Sequence, residues 1–177
     1  MLAWRLHHFP ELDSTNTYLL TQAKTGAAEG LVITTDFQSG GRGKPGREWV
    51  SPKGKNLLFS ILLRPEISPA KAPMLTQITC RTVQTVLKKH GIESTLKRPN
   101  DVMVDGKKIC GVLTESGSKE NKIESIVAGI GLNVNASQKE LIPEATSMKI
   151  LTGRDFSRDE ILRDFLAQYR LDLKLFY

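Results

Sequence analysis

The sequence predicts one mixed α/β domain of the α+β type, with a largely antiparallel sheet flanked by helices. Three observations lead there. The chain has 177 residues, about one domain's worth, is 40% hydrophobic, and shows no internal repeat, low-complexity stretch or linker. Short β-branched runs recur between glycine-containing turns, and Asp105-Gly106 is a two-residue hairpin signal. Segments 69–90 and 157–173 carry apolar residues at helical spacing.

Taken in order, residues 2–9 read as a strand, and any of Asp13, Ser14, Thr15 and Asn16 can cap a short helix running to Lys24. Gly26 and Gly30 close that helix, and residues 31–37 form the next strand. A glycine loop follows, and a second apolar strand, 56–63, leaves it. In the main helix Leu75, Ile78, Val83, Val86 and Leu87 make the apolar stripe and Gly91 ends it. Segments 95–97, 101–104 and 107–114 read as strands, and 122–134 contains another long one. Ser157-Arg158-Asp159-Glu160 is a capping box that opens a helix with Ile161, Leu162, Phe165, Leu166, Tyr169 and Leu173 turned to the sheet.

No stretch reaches the roughly 18 apolar residues of a membrane span, and no signal-like core precedes Pro10, so a cytoplasmic protein with no membrane partner is expected. Cys80 and Cys110 stand far apart, and His7, His8 and His90 show no ligand spacing, which argues against a zinc site or a disulfide framework. Asn135-Ala136-Ser137 is read as a chance match to a glycosylation sequon. A net charge of +6 favours anionic partners without choosing among nucleic acid, nucleotide and acidic protein.

Residues 40–49, Gly40-Gly41-Arg42-Gly43-Lys44-Pro45-Gly46-Arg47-Glu48-Trp49, combine four glycines, three cations and a tryptophan. Glycine admits close backbone approach, the cations neutralise phosphate or carboxylate, and the indole offers a face to a ring. Gly41, Gly43 and Gly46 also fit a dinucleotide fingerprint, but no helical period follows, and Pro45 stands where a P-loop needs Ser or Thr.

Four further clusters carry polar chemistry. Asp13 to Thr17 place small hydrogen-bonding side chains at a strand-to-helix turn, either as a plain N-cap or as a ligand contact. Lys97-Arg98-Pro99-Asn100-Asp101 sets a cation, an amide and a carboxylate around a proline, with Asp101 a candidate for magnesium and Asn100 for donation to phosphate. In Lys107-Lys108-Ile109-Cys110-Gly111-Val112, alternation puts Lys108 on one face with Cys110 and Val112, and Lys107 with Ile109 and Gly111 on the other. Gly111 inside a strand implies a close approach by a ligand or a bulge. In Gly129-Ile130-Gly131-Leu132-Asn133, the Asn133 amide is suited to an adenine edge. The inventory suits attack of an acid on the α-phosphate of ATP, a reaction that needs alignment and charge neutralisation.

In chain order, Asp13-Ser14-Thr15-Asn16, Gly41-Arg42-Gly43-x-x-Gly46-Arg47-x-Trp49, Lys97-x-Pro99-Asn100-Asp101, Lys108-x-x-Gly111-Val112-Leu113 and Gly129-x-Gly131-x-Asn133 resemble the biotin protein ligases, from about residue 8 to the C-terminal helix. Ala145-Thr146-Ser147-Met148 and the helix after it are similar as well. The resemblance implies the catalytic fold shared with class II aminoacyl-tRNA synthetases and lipoate ligases. It also implies two steps: biotin attacks ATP to give biotinyl-5′-AMP, and a lysine of a biotin carboxyl carrier protein domain then takes the biotinyl group. Ser14, Thr15, Asn16, Gln38, Gly41, Arg42, Gly43, Lys108 and Gly111 would hold biotin. Arg42, Lys44, Arg47, Trp49, Asn100 and Asn133 would hold ATP and the adenylate, with Lys108, Arg42 and Lys44 as the catalytic cations and Asp101 at magnesium.

The chain departs from the family pattern in three ways. Lys44 stands where many members carry arginine, and Arg98 where tryptophan is common. Neither an N-terminal DNA-binding domain nor a C-terminal small β domain is evident, so no DNA partner is expected. A homodimer would cover Leu173, Leu175, Phe176 and Tyr177. Two other readings stand beside this one. A lipoate or octanoate ligase or acyltransferase of the same fold could use Cys110 as a thioester nucleophile, and a non-catalytic basic module could bind nucleic acid or a carrier domain.

Overall fold

The structure, a computed structural model, describes residues 2–43, 46, 48–119 and 122–174. Seven strands form one sheet in the order β1-β2-β3-β7-β6-β5-β4. They are β1 (Arg5–Phe9), β2 (Leu31–Thr35), β3 (Leu57–Leu63), β4 (Thr95–Lys97), β5 (Asp101–Val104), β6 (Lys107–Lys119) and β7 (Lys122–Leu132). Only β1 and β2 run parallel; every other neighbouring pair is antiparallel, in agreement with the expected architecture. The helices are α1 (Thr15–Lys24), α2 (Ala72–Lys89), α3 (Met148–Thr152) and α4 (Arg158–Leu173). Among the described residues no helix is long and apolar enough to cross a membrane.

β3 shows why the sheet is covered on both faces. Its run Leu-Leu-Phe-Ser-Ile-Leu-Leu is buried throughout, so alternate side chains go opposite ways and each set needs a cover. Leu57, Phe59, Ile61 and Leu63 join the main core with α2 and α4, whereas Leu62 packs with Leu19 of α1, Ile33 and Val127. Helix α2 ends as the glycine predicts: Gly91 takes φ +80°, its N–H bonds Lys88 O at 3.0 Å, and Ile92 N–H reaches Leu87 O at 2.9 Å. In α4, Ser157 Oγ accepts from Glu160 N–H, and the six apolar residues assigned to its stripe are all buried. Leu173 is therefore covered by its own domain rather than by a second chain, while Leu175, Phe176 and Tyr177 lie outside the described residues.

α1 covers only part of its face of the sheet. Beyond its N-terminus the same face presents Ser60 of β3, Gly129 and Gly131 of β7, and Glu115, Leu113 and Gly111 of β6. Two glycines in register, Gly111 and Gly131, leave a floor without side chains. The candidate site stands on that floor.

Candidate active site

A cavity of about 770 Å³ opens above the glycine floor. Its walls come from the N-terminus of α1, the base of the glycine loop, the turn before β5, the start of β6 and segment 139–145. Ser14, Thr15, Asn16, Gln38, Arg42, Gly43, Trp49, Asn100, Asp101, Lys108, Gly111 and Asn133, expected from five separate stretches of chain, all line it. Lys44 and Arg47 lie outside the described residues.

At the α1 end, Ser14 caps the helix, its Oγ accepting from Thr17 N–H at 3.5 Å. Gln38 Oε1 accepts from Thr15 N–H and from Thr15 Oγ1, at 2.9 and 3.1 Å. Thr15 Oγ1 also meets Ser60 Oγ at 2.6 Å, and Ser60 Oγ donates to Asn16 Oδ1 at 2.6 Å. Asn16 Nδ2 in turn donates to Leu113 O and to Glu115 Oε2. Ser14, Thr15, Asn16 and Ser60 are buried and Gln38 and Glu115 half-buried, so the string fixes the wall before any ligand arrives. The N-cap reading and the ligand reading thus both describe Ser14: it ends the helix and faces the cavity.

The loop base is a short ladder. Arg42 bridges Glu48 in antiparallel fashion, and Trp49 N–H donates to Gly41 O at 2.9 Å. Gly41 is required because a Cβ there would sit 2.2 Å from Trp49 O. The ladder lays the indole on the glycine floor, where a Cβ on Gly131 would fall 2.5 Å from Trp49 Cε2. Arg42 was expected to meet an anionic ligand. Here its guanidinium forks onto Glu115 instead, Nη1 to Oε1 at 3.0 Å and Nη2 to Oε2 at 2.7 Å.

Lys108 reaches the floor because β6 carries an extra residue. Val102 pairs with Cys110 but Met103 pairs with Lys108, so Ile109 bulges and the alternation shifts. This corrects the strand reading. Lys108 shares the cavity face with Gly111, a Cβ on which would touch Lys108 Cε and Nζ at 3.0 Å, while Ile109 and Cys110 both enter the core. Lys108 Nζ lies 2.8 Å from Asp101 Oδ1 and 5.3 Å from the Trp49 ring centroid. Segment 144–146 locks its backbone, since Lys108 N–H bonds Glu144 O and Thr146 N–H bonds Lys108 O.

Three other expected site residues already have protein partners in this geometry. Asp101, the expected contact for the magnesium of ATP, is engaged with Lys108, and among the described residues no group of three or more His, Cys, Asp and Glu side chains could hold a metal ion by itself. Asn100 donates one Nδ2 hydrogen to Val112 O at 2.7 Å and leaves a buried Oδ1 without a hydrogen-bond partner. Asn133 accepts from Asn56 and donates to Thr146 O, both at 3.0 Å, which makes its side chain a strut of the wall.

Residues 8–133 match the biotin/lipoate A/B protein ligase family. The chain belongs to that family. The bifunctional ligase/repressor BirA of Bacillus subtilis is 34% identical over 160 residues, covering 88% of this chain and 49% of BirA. The biotin–[acetyl-CoA-carboxylase] ligase of Mycobacterium tuberculosis is 32% identical over 152 residues, 82% of this chain and 55% of that protein. The structure of biotin protein ligase from Aquifex aeolicus in complex with biotin and ATP superposes with a TM-score of 0.80 at 33% identity, over 97% of this chain and 71% of that one. This biotin/lipoate ligase family member spans about half the length of the curated relatives it matches.

Within the family fold, Ser60 and Glu115 join the wall of the site and were missed in the sequence, while segment 144–146, noted there only in part and for its likeness, backs Lys108. Ser60 had a signal, as the single polar residue of a seven-residue apolar strand. Cys110 takes no part. Burial first, then neighbouring Cys80, pushes its thiol well above the ordinary value, and Lys108 offsets only some of that. Cys110→Ala is expected to leave turnover within about twofold and to cost about 1 kcal/mol of stability in a urea titration. Complete loss of turnover in a folded variant would restore the thioester route.

Proposed function

We propose that this protein is an ATP-dependent biotin–protein ligase that forms biotinyl-5′-AMP and passes the biotinyl group to a lysine of a biotin carboxyl carrier domain. The observation that carries the reading is Lys108, held by Asp101 beside the Trp49 indole above the Gly111–Gly131 floor. An ammonium fixed over a floor without side chains suits a ligand whose acyl and phosphate groups meet at that point. The Aquifex relative that contains biotin and ATP supports the choice of ligands.

In the first step a biotin carboxylate oxygen bonds the α-phosphorus of ATP, the bond from that phosphorus to the β-bridging oxygen breaks, and pyrophosphate departs with the electron pair. Lys108 faces the charge that builds on the α-phosphate oxygens. Asp101 orients Lys108, and no step is assigned to a metal on Asp101. In the second step a neutral carrier lysine attacks the acyl carbon, the acyl–phosphate bond breaks, AMP leaves, and the extra proton goes to solvent. The α1 wall and the indole shield the mixed anhydride from water meanwhile. A cytoplasmic setting, with ATP at hand and Cys80 and Cys110 as free thiols, accords with this chemistry.

Exchange of labelled pyrophosphate into ATP, run with biotin, lipoate and octanoate in parallel, tests the proposal. Exchange that depends on biotin is the expected outcome. Exchange with lipoate or octanoate alone would replace it with the acyl-ligase reading, and salt-sensitive nucleic-acid binding without exchange would replace it with the basic module.

A further inference from the structure

We infer that Ser60 is a positioning residue for ligand choice: its buried hydroxyl fixes the direction of hydrogen bonding along the α1 wall, so that Thr15 meets the ligand as an acceptor and not as a donor. The inference deepens the ligase reading and rests on it. Ser60 lies on β3 opposite Gly129 and is fully buried, whereas Thr15 and Asn16 line the cavity. The bare Gly129 gives Asn16 its room, because a Cβ there would stand 2.2 Å from Asn16 Oδ1, the atom that meets Ser60. Ser60 therefore acts on the ligand only through its neighbours.

The number of hydrogens decides the direction. Asn16 Nδ2 faces Leu113 O at 3.1 Å and Glu115 Oε2 at 2.8 Å, and a backbone carbonyl can only accept, so Asn16 Oδ1 is the atom turned to Ser60. The single hydroxyl hydrogen of Ser60 goes to that oxygen at 2.6 Å. Thr15 Oγ1 is also 2.6 Å from Ser60 Oγ, and with the serine hydrogen committed the threonine must supply the one between them. Gln38 Oε1, at 3.1 Å from Thr15 Oγ1, is the longer contact and already accepts the Thr15 N–H at 2.9 Å. The Thr15 hydroxyl thus turns its hydrogen to Ser60 and keeps its lone pairs for the cavity. A ligand head that brings an N–H to this wall is matched, and the cyclic urea of biotin carries such groups. An ester oxygen in the same place would face lone pairs with no hydrogen between them, and a dithiolane ring brings no N–H at all.

The test is a chemical double-mutant cycle that pairs Ser60→Ala with the two cyclic carbamate analogues of biotin, in each of which oxygen replaces one ureido N–H. Calorimetry without ATP gives the dissociation constants. In the wild type one of the carbamates should bind about 10³-fold more weakly than biotin, since the site loses a buried donor and gains a repulsion. In Ser60→Ala the Thr15 hydroxyl is released to turn, so biotin should weaken about tenfold while the disadvantage of that carbamate shrinks by about tenfold or more. A general loosening of the wall would weaken both ligands by the same factor and leave their ratio where it was. A ratio in Ser60→Ala within about twofold of the wild-type ratio would therefore overturn the inference, as would a wild type that binds both carbamates as well as biotin. Should Ser60→Ala not fold, Ser60→Cys keeps a side chain of similar volume with only a weak donor and acceptor, and the ratio should move in the same direction. A wild type that binds no biotin would remove the ligase reading and the inference with it, whereas biotin binding with an unmoved ratio removes the inference alone.

Discussion

Lys108→Ala is expected to lower biotin-dependent pyrophosphate exchange by about 10² to 10³ through kcat, the range for removing one group that meets charge developing in a transition state. The fold should survive. Lys108 makes its backbone bonds to Glu144 and Thr146 regardless of side chain, and the side chain keeps 32% of its exposure. Asp101→Asn separates the two roles open to that carboxylate. If Asp101 orients Lys108, the asparagine variant loses activity without any change in magnesium dependence, whereas a metal ligand would raise the magnesium concentration for half-maximal rate. Steady-state exchange at several magnesium concentrations measures both, and a Lys108→Ala enzyme within tenfold of wild type would remove Lys108 from the chemistry.

Gly129→Ala should be strongly damaging to both stability and binding. A Cβ there would stand 2.2 Å from Asn16 Oδ1 and 2.8 Å from Asn16 Cγ. Asn16 cannot retreat cheaply, because its amide bonds Ser60, Leu113 O and Glu115 in a buried setting. Relief requires breaking those bonds or moving β7, and either route costs about 2–4 kcal/mol. Urea titration should show that loss, with a parallel fall in affinity for biotin. Adding Asn16→Ala to Gly129→Ala should recover much of the stability, since the space returns, but not the binding, since the string from Gln38 to Glu115 stays cut. A stable Gly129→Ala single variant would contradict the rigid wall.

Much of this was legible in the sequence because local rules and packing agree. Ser14, Ser157 and Gly91 stop and start helices where their chemistry says they should, and the two-faced burial of β3 follows from a run with one polar residue. The clusters were also found, because glycines beside amides and cations are rare outside turns and ligand sites. What was missed depends on partners far away in the chain. Asn133 looks free until Asn56 and Thr146 are brought to it, and Glu115 is one carboxylate among many until β6 is laid beside α1 and the loop. The face assigned to Cys110 failed for a different reason: a fixed two-residue period cannot anticipate Ile109.

That extra residue has a meaning for reading other strands. Lys108 and Gly111 are three apart, an odd interval, and in an unbroken strand odd neighbours look in opposite directions. Whenever two residues separated by an odd number must serve one ligand, parity alone requires an insertion between them. The spacing Lys-x-x-Gly therefore encodes the irregularity of its own backbone. Deleting one residue between the pair would make the interval even, so that an unbroken strand would keep both on one face and the irregularity would no longer be needed.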